Sequence, residues 1–246
     1  MPRFFSFLIL PLIAIAIILY LIISKQDSTP TTGPSSIKDT IIVIDAGHGG
    51  EDPGKVGLNN ALEKDINLSI AKLLHSLLEE KGFQVYLTRT DDSAPDSKRE
   101  DMTNRAEFIE QKQPDFIISI HQNSYTDESV SGPQVFYYSS SPEGKAFADV
   151  MQQTINSHIN PTKPRSPQAN NNYYLLKNAP SPMIIVECGF LSNPQDAALL
   201  ITEDYQKQMA QGIYLGLLAY YESLFGPDHS SDSEIPSELL PATDAS

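Results

Sequence analysis

The stretch IIVIDAGHGG, residues 41–50, joins an unbroken aliphatic run to an aspartate, a histidine and three glycines. A short apolar run of this kind is typical of a strand that is buried on both faces, as in parallel sheets. Glycine has no side chain, so backbone and neighbouring groups can crowd together after the strand. The pattern predicts a strand that carries His48 to the carboxyl end of the sheet, where α/β folds bind their ligands.

Strand and helix patterns alternate along the rest of the chain. Apolar runs predict strands at residues 41–45, 83–89, 115–120, 134–139 and 183–187, and helical periodicity predicts helices at 62–82, 102–112, 142–159, 194–200 and 203–225. Several of the strands are apolar throughout instead of at every second residue, which indicates a sheet covered on both sides. We therefore expect an α/β fold: a single domain with a mostly parallel or mixed sheet flanked by helices on both faces.

The two ends of the chain differ from this domain in composition. Residues 1–24 contain an apolar segment long enough to cross a bilayer, for which about 20 residues are needed. Residues 25–39 are rich in Ser, Thr and Pro and predict a flexible linker, residues 40–226 form the catalytic domain, and residues 227–246 predict a disordered acidic tail. A membrane anchor is the favoured interpretation of residues 1–24, because no good small-x-small cleavage site follows. We expect an extracytoplasmic domain tethered to the membrane, or a secreted one if the segment is a cleaved signal.

Charge and cysteine content exclude some classes of function. The formal net charge is −14, whereas nucleic-acid binding requires a basic face, so no nucleic-acid partner is expected. The single cysteine, Cys188, cannot form an intramolecular disulfide, so stability must come from the core. Because Cys188 follows the apolar run MIIVE, we expect it to be a small buried hydrophobe.

Four polar residues occupy similar places on different predicted elements. His48 and His121 follow the first and third strands, Glu187 ends the strand MIIVE, and Glu63 begins the first long helix. Two imidazoles, one carboxylate and an open position form a known type of catalytic zinc site, which acidifies water and polarises a carbonyl group. A second carboxylate is then needed to move the proton, and Glu187 is a candidate. The scattered spacing also leaves a structural role open for each histidine, since it lacks the compact H-E-x-x-H signature.

Four sequence blocks together resemble a known family. IDAGHGGEDPGKVG, LEKDINLSIAKLL, SIHQNS and VECGFLSNPQDAALL are similar to the signature blocks of the zinc-dependent N-acetylmuramoyl-L-alanine amidases of the amidase-3 family, over about residues 40–225. The resemblance implies that His48, Glu63 and His121 bind Zn²⁺ and that Glu187 is the catalytic general base and acid. Family members cleave the peptidoglycan amide between the lactyl group of muramic acid and the L-alanine of the stem peptide.

A narrower resemblance concerns the germination-specific amidases of endospore formers. The short apolar amino-terminal segment, the segment SKREDMTNRAEFIE and the segment SGPQVFYYS are similar to these enzymes. This implies action on the spore cortex, on the route to muramic δ-lactam, with vegetative cell-wall turnover as the alternative. The resemblance leaves open whether an accessory activator protein is a partner.

Other polar and aromatic residues have two open interpretations each. Asp45 either orients a metal ligand or caps the turn after the strand, and Asn123 and Arg105 either touch substrate or brace the site. Four tyrosines either line a sugar groove or pack in the core: Tyr137, Tyr138, Tyr173 and Tyr174.

Two rival functions can be stated from the same residues. Cys188 beside Glu187 would be the nucleophile of a cysteine peptidase, if a base histidine lay within reach of its thiol. A non-catalytic peptidoglycan-binding module is the other rival, although a degenerate copy should have lost at least one of the four site residues.

Overall fold

The computed structural model describes residues 34, 36–95 and 97–227. The predicted membrane anchor and nearly all of the predicted acidic tail lie outside the described residues. Within the described part, no helix is both long and apolar enough to cross a membrane. Residues 37–39, which composition assigns to the linker, form a 3₁₀ turn, Ile37–Asp39, and the side chain of Ile37 is buried in the core. The folded unit therefore begins before residue 40, because the apolar side chain of Ile37 packs in the core.

The sheet is mixed, as expected. Its strands are β1 (Ile41–Ala46), β2 (Gln84–Leu87), β3 (Phe116–Asn123), β4 (Gln134–Tyr138), β5 (Gln168–Asn170) and β6 (Met183–Phe190). They lie in the order β2-β1-β3-β6-β4-β5. Strands β2, β1, β3 and β6 are parallel to one another. Strand β4 runs antiparallel to β6, and β5 runs parallel to β4.

Helices cover both faces of this sheet, which confirms the predicted architecture. They are α1 (Glu63–Lys81), α2 (Lys98–Lys112), α3 (Pro142–Ile159), α4 (Tyr174–Asn178), α5 (Pro194–Leu200) and α6 (Glu203–Phe225). Successive strand residues point to opposite faces, so Ile118 packs with α1, α3 and α6 in the larger core, while Ile117 packs with α2 and α4 in the smaller one.

Two strands are longer than their apolar runs suggested. β3 continues to Asn123 and β6 continues to Phe190, so His121 and Glu187 lie inside strands and not at or beyond their ends. The extension of β6 has a physical reason, since Cys188 and Phe190 are buried apolar residues. Pairing of β3 with β6 places His121 directly beside Glu187.

Two other elements differ from the sequence prediction, one because it was not predicted and one because it begins earlier. β5 is a three-residue polar strand, QAN, whose place is set by pairing with β4 and not by any apolar pattern. Helix α2 begins at Lys98, four residues before the predicted start, and the side chain of Ser97 caps it by accepting from the amide of Glu100. The earlier start brings Lys98 to the mouth of the pocket described below.

The closest approach of α3 and α6 depends on a glycine. A Cβ atom at Gly216 would lie 2.5 Å from Sδ and 3.3 Å from Cα of Met151. We expect Gly216→Val to lower the free energy of unfolding by about 1–3 kcal/mol, because the added atoms overpack the crossing. Thermal unfolding followed by circular dichroism measures this, with Ala219→Val on the exposed side of α6 as the matched control. Equal melting temperatures for the two variants would contradict the tight crossing.

Candidate active site

Three predicted site residues meet at the carboxyl end of the sheet. Oε1 of Glu63 lies 3.3 Å from Nε2 of His48 and 2.9 Å from Nδ1 of His121. One ligand atom from each residue lies within 4.8 Å of the other two. A tetrahedral ion with bonds of about 2.0–2.1 Å separates its ligands by about 3.3 Å, so the residues fit a metal ion in both type and spacing.

The carboxylate of Glu63 is the buried centre of this cluster. Glu63 is the first residue of α1 and is 4% exposed. Its Oε2 accepts from the amide of Lys55 at 2.7 Å, and its Oε1 accepts from the amide of Gln122 at 3.0 Å. Burial alone would raise the pKa of Glu63, but hydrogen bonds and charge interactions with His121 and His48 outweigh it and hold that pKa well below its usual range. The group is therefore a carboxylate at neutral pH, as a metal ligand must be.

The imidazole of His48 is oriented by a residue that the sequence analysis missed. Nδ1 of His48 lies 3.0 Å from Oδ2 of Asp52, which leaves Nε2 facing Glu63. A carboxylate on the far nitrogen is the usual partner of a metal-binding histidine, because it fixes the ring and its tautomer. The signal was present in the sequence, as the aspartate of GHGGED stands four residues after the histidine.

The glycines of the opening stretch and its continuation provide space for these side chains. A Cβ atom at Gly47 would lie 2.2 Å from Cε1 of His121, far inside any tolerated contact. At Gly54, which has a φ of +66°, a Cβ atom would lie 2.6 Å from Oε2 of Glu63. Any larger residue at either position would occupy the space of a side chain of the His48, Glu63 and His121 cluster.

The fourth predicted residue, Glu187, faces the same pocket. It lines a cavity of about 430 Å³ together with His48, Glu63 and His121, and it is 6% exposed. Burial, followed by the charge of Glu63, raises the pKa of Glu187 well above its ordinary value. Among the described residues its Oε2 atom has no hydrogen-bond partner. A carboxyl group with one free oxygen and a raised pKa is suited to accept a proton and donate it again.

Comparison with known proteins identifies the family. Residues 42–219 match the N-acetylmuramoyl-L-alanine amidase family. The chain belongs to this family. It is 34% identical, over 89% of its own length and 94% of the other's, to a germination-specific N-acetylmuramoyl-L-alanine amidase of Bacillus subtilis.

Solved structures show the same fold in relatives of this amidase. The CwlD amidase of Clostridioides difficile, solved in complex with the GerS lipoprotein, is 34% identical with a TM-score of 0.72, covering 75% of this chain and 99% of that one. The amidase AmiC2 of Nostoc punctiforme is 36% identical with a TM-score of 0.68, covering 76% of this chain and 99% of that one. The predicted family and the enzyme class are thereby confirmed.

Membership of this family leaves no role for Cys188 as a nucleophile. Cys188 points into the larger core, on the face of β6 opposite to Glu187, and is fully buried. Burial also raises the pKa of its thiol, which opposes formation of the thiolate that such a mechanism needs. The expectation of a small buried hydrophobe is confirmed.

Asp45 and Arg105 brace the sheet beneath the amidase site. The Asp45 carboxylate accepts from Ser119 at 2.6 Å, from Thr88 at 2.9 Å and from Arg105 at 3.3 Å, instead of taking either predicted role. Burial opposes its charge, but Arg105 and then Ser119 hold the pKa of Asp45 below its usual value. Arg105 also donates to Asp101 at 2.6 Å, so the bracing interpretation of Arg105 is the one that the contacts support.

Two buried amides form a further layer that the sequence analysis did not find. Nδ2 of Asn67 donates to the carbonyl of Gly47 at 3.0 Å, and Nε2 of Gln122 donates to Oδ1 of Asn67 at 3.1 Å. Asn67 stands one helical turn after Glu63, on the same side of α1, where side chains four residues apart are neighbours. These amides tie α1 and β3 to the glycine-rich loop.

The four tyrosines divide between the two interpretations. Tyr173 and Tyr174 line the pocket, while Tyr137 and Tyr138 pack against the two cores. Burial, followed by the charges of Glu187 and Glu63, raises the pKa of Tyr173 to about 12, so its phenol stays protonated. Asn123 also lines the pocket and is therefore available to substrate.

Gly47→Ala tests the steric argument without altering a charged group. We expect the variant to fold but to bind a divalent metal such as zinc at least tenfold more weakly, because the new methyl group displaces the imidazole of His121. Metal affinity from competition with a chelator dye gives the measurement. Gly189→Ala is the matched control, since the nearest atoms to its new Cβ are 3.3 Å away. Unchanged affinity in Gly47→Ala would show that His121 does not need its present position.

Proposed function

We propose that this amidase is zinc-dependent and acts on the peptidoglycan of the spore cortex, on the route to muramic δ-lactam. The observation that carries the zinc assignment is the convergence of His48, Glu63 and His121, since two imidazoles and one carboxylate are a donor set of catalytic zinc. The similarity to the germination-specific amidase of Bacillus subtilis supports the cortex as the location of the substrate.

The residues around the pocket have distinct chemical roles in this proposal. His48, Glu63 and His121 would hold the ion, which as a Lewis acid would polarise the lactyl carbonyl and acidify water. Asp52 keeps Nε2 of His48 facing inward through its 3.0 Å contact with Nδ1. The amides of Lys55 and Gln122 hold the Glu63 carboxylate in one orientation.

Glu187 moves the proton in the reaction. Its free carboxylate oxygen accepts a proton from the attacking water as the new C–O bond forms at the lactyl carbonyl carbon. The same carboxyl group then gives that proton to the L-alanine nitrogen as the C–N bond breaks, so the products are a stem peptide with a free amine and a lactyl carboxylic acid, which releases its remaining proton to solvent. The raised pKa of Glu187 makes its carboxylate a better proton acceptor than an ordinary glutamate, and the protonated form remains able to donate.

Glu187→Gln separates proton transfer from metal binding. We expect turnover to fall by about 10²–10⁴-fold, because the amide keeps the shape of the side chain but cannot accept the proton. Zinc content and melting temperature should stay close to those of the parent protein, since Glu187 is not among the clustered metal-binding residues. The assay measures new L-alanine amino groups released from peptidoglycan. A variant that retains more than a tenth of the parental rate would exclude Glu187 as the general base.

The location and partners of the amidase belong to the same proposal. The apolar segment within residues 1–24 supports an extracytoplasmic domain tethered to the membrane. An accessory lipoprotein or similar activator is a further candidate partner, since the Clostridioides difficile relative was solved in complex with the GerS lipoprotein.

The cortex assignment is tested by complementation. We expect the full-length chain to restore muramic δ-lactam to the cortex of a Bacillus subtilis strain that lacks its germination-specific amidase, measured by muropeptide chromatography of purified spores. The Glu187→Gln chain, expressed at the same level, is the control and should restore none. Failure of the parent chain, combined with release of L-alanine amines from vegetative walls in vitro, would favour vegetative cell-wall turnover.

A further inference from the structure

The cations around the pocket fall into two groups. Three of them are occupied by structural contacts: Lys64 with Gly50 and Asp92, Arg89 with the carbonyls of Ala46, Gly47 and Lys64, and Arg105 with Asp45 and Asp101. Two others, Lys55 and Lys98, are exposed and line the pocket. The second group is exposed to solvent and can therefore be reached by a ligand.

Lys98 is held close to the metal-binding cluster although it is exposed. Its side chain is 76% exposed, and its Nζ lies 3.2 Å from Oδ1 of Asp52. The other carboxylate oxygen of Asp52 contacts His48. The ammonium of Lys98 therefore stands one side chain away from the imidazole that the proposed reaction uses.

Lys55 reaches the same mouth of the pocket from the loop that follows β1. Its backbone amide donates to Glu63 at 2.7 Å, and Lys55 is among the residues that line the pocket. Within the described part of the chain, no carboxylate forms an ion pair with the Lys55 ammonium. Two exposed lysines thus line the pocket, one from the loop after β1 and one from the first turn of α2.

The pocket lining combines lysines with aromatic residues, since Tyr173 and Tyr174 line it together with Lys55 and Lys98. The chain as a whole carries a formal charge of −14, so an anionic substrate meets overall repulsion and needs local cations at the point of contact. The ammonium groups of Lys55 and Lys98 can provide them.

We propose that Lys55 and Lys98 bind a carboxylate of the stem peptide where it enters the pocket. This inference rests on the proposed hydrolysis, in which the leaving group is the stem peptide. The residues that follow the L-alanine in a stem peptide carry carboxylates, and ammonium–carboxylate hydrogen bonds are stronger than neutral ones.

Matched substrates test this assignment. Peptidoglycan is used as prepared and after its carboxylates have been converted to amides with ammonia and a carbodiimide. The variants are Lys55→Met and Lys98→Met of the full-length zinc-loaded protein, because methionine keeps much of the side-chain length and removes the charge. Lys145→Met on α3, whose ammonium pairs with Asp149 at 2.6 Å, is the remote control.

We expect each lysine variant to lose about five- to tenfold in kcat/KM on untreated peptidoglycan, mainly through KM. On amidated peptidoglycan the parent and the variants should be equal within twofold, because the charge that the lysines recognise has been removed. Lys98→Arg should recover most of the loss, and Lys145→Met should behave like the parent on both substrates.

Two results would overturn the assignment. An equal loss on both substrates, with weaker zinc binding in Lys98→Met, would mean that Lys98 acts only through Asp52 and His48. Parental kcat/KM in both variants on untreated peptidoglycan would mean that neither lysine meets the substrate. A parent protein that releases no alanine amine from either substrate would instead overturn the proposed hydrolysis itself, and this assignment with it.

Discussion

A carboxylate with almost no exposure, that of Glu63, sets the constraint on which the rest of the site depends. A buried charge is tolerated only when it is paired and hydrogen-bonded. Here the partners come from two separate parts of the chain: the loop after β1 supplies His48 and the amide of Lys55, and β3 supplies His121 and the amide of Gln122. The first turn of α1, a third part, holds the carboxylate itself. Satisfying one group therefore fixes the relative positions of a loop, a strand and a helix. A metal ion at this point adds positive charge where the protein has already concentrated its acceptors.

Space is the second requirement, and it explains why the loop is built from glycine. A bulkier loop could still supply the hydrogen bonds that the Glu63 carboxylate needs. However, the imidazole of His121 lies where a side chain at Gly47 would stand, and Gly54 leaves the same kind of space for Glu63. The backbone also bends sharply, since His48 itself has a φ of +62°, a conformation that residues other than glycine seldom adopt. Such strain is found where the surrounding contacts hold a residue firmly in place. Asp52 and Glu63, one on each ring nitrogen of His48, provide those contacts.

The outline of the fold and the identity of the clustered residues could be predicted from sequence, because both depend on local patterns. Unbroken apolar runs marked β1, β3 and the first part of β6, and the position of His48 after such a run pointed to the carboxyl edge of the sheet. The remaining features depend on contacts between distant segments. β5 has no apolar signal and exists because its backbone pairs with β4. Asn67 and Gln122 are unremarkable polar residues until α1 packs on β3 and brings their amides together at 3.1 Å. Packing of α2 against β1, and not any motif, turns Asp45 into a brace for Arg105.

Successive side chains of β6 point alternately to the larger core and to the pocket. Glu187 and Cys188 are adjacent, yet one faces the pocket with a free carboxyl oxygen and the other is fully buried among the apolar residues of the larger core. A shift of one residue in the pairing of β3 with β6 would exchange them, because side chains alternate with a period of two. The observed register sets His121 beside Glu187 and is enforced from the core side, where Val186 and Cys188 must both be buried. The hydrophobic packing of one face of the strand thus determines which group on the other face lies in the pocket.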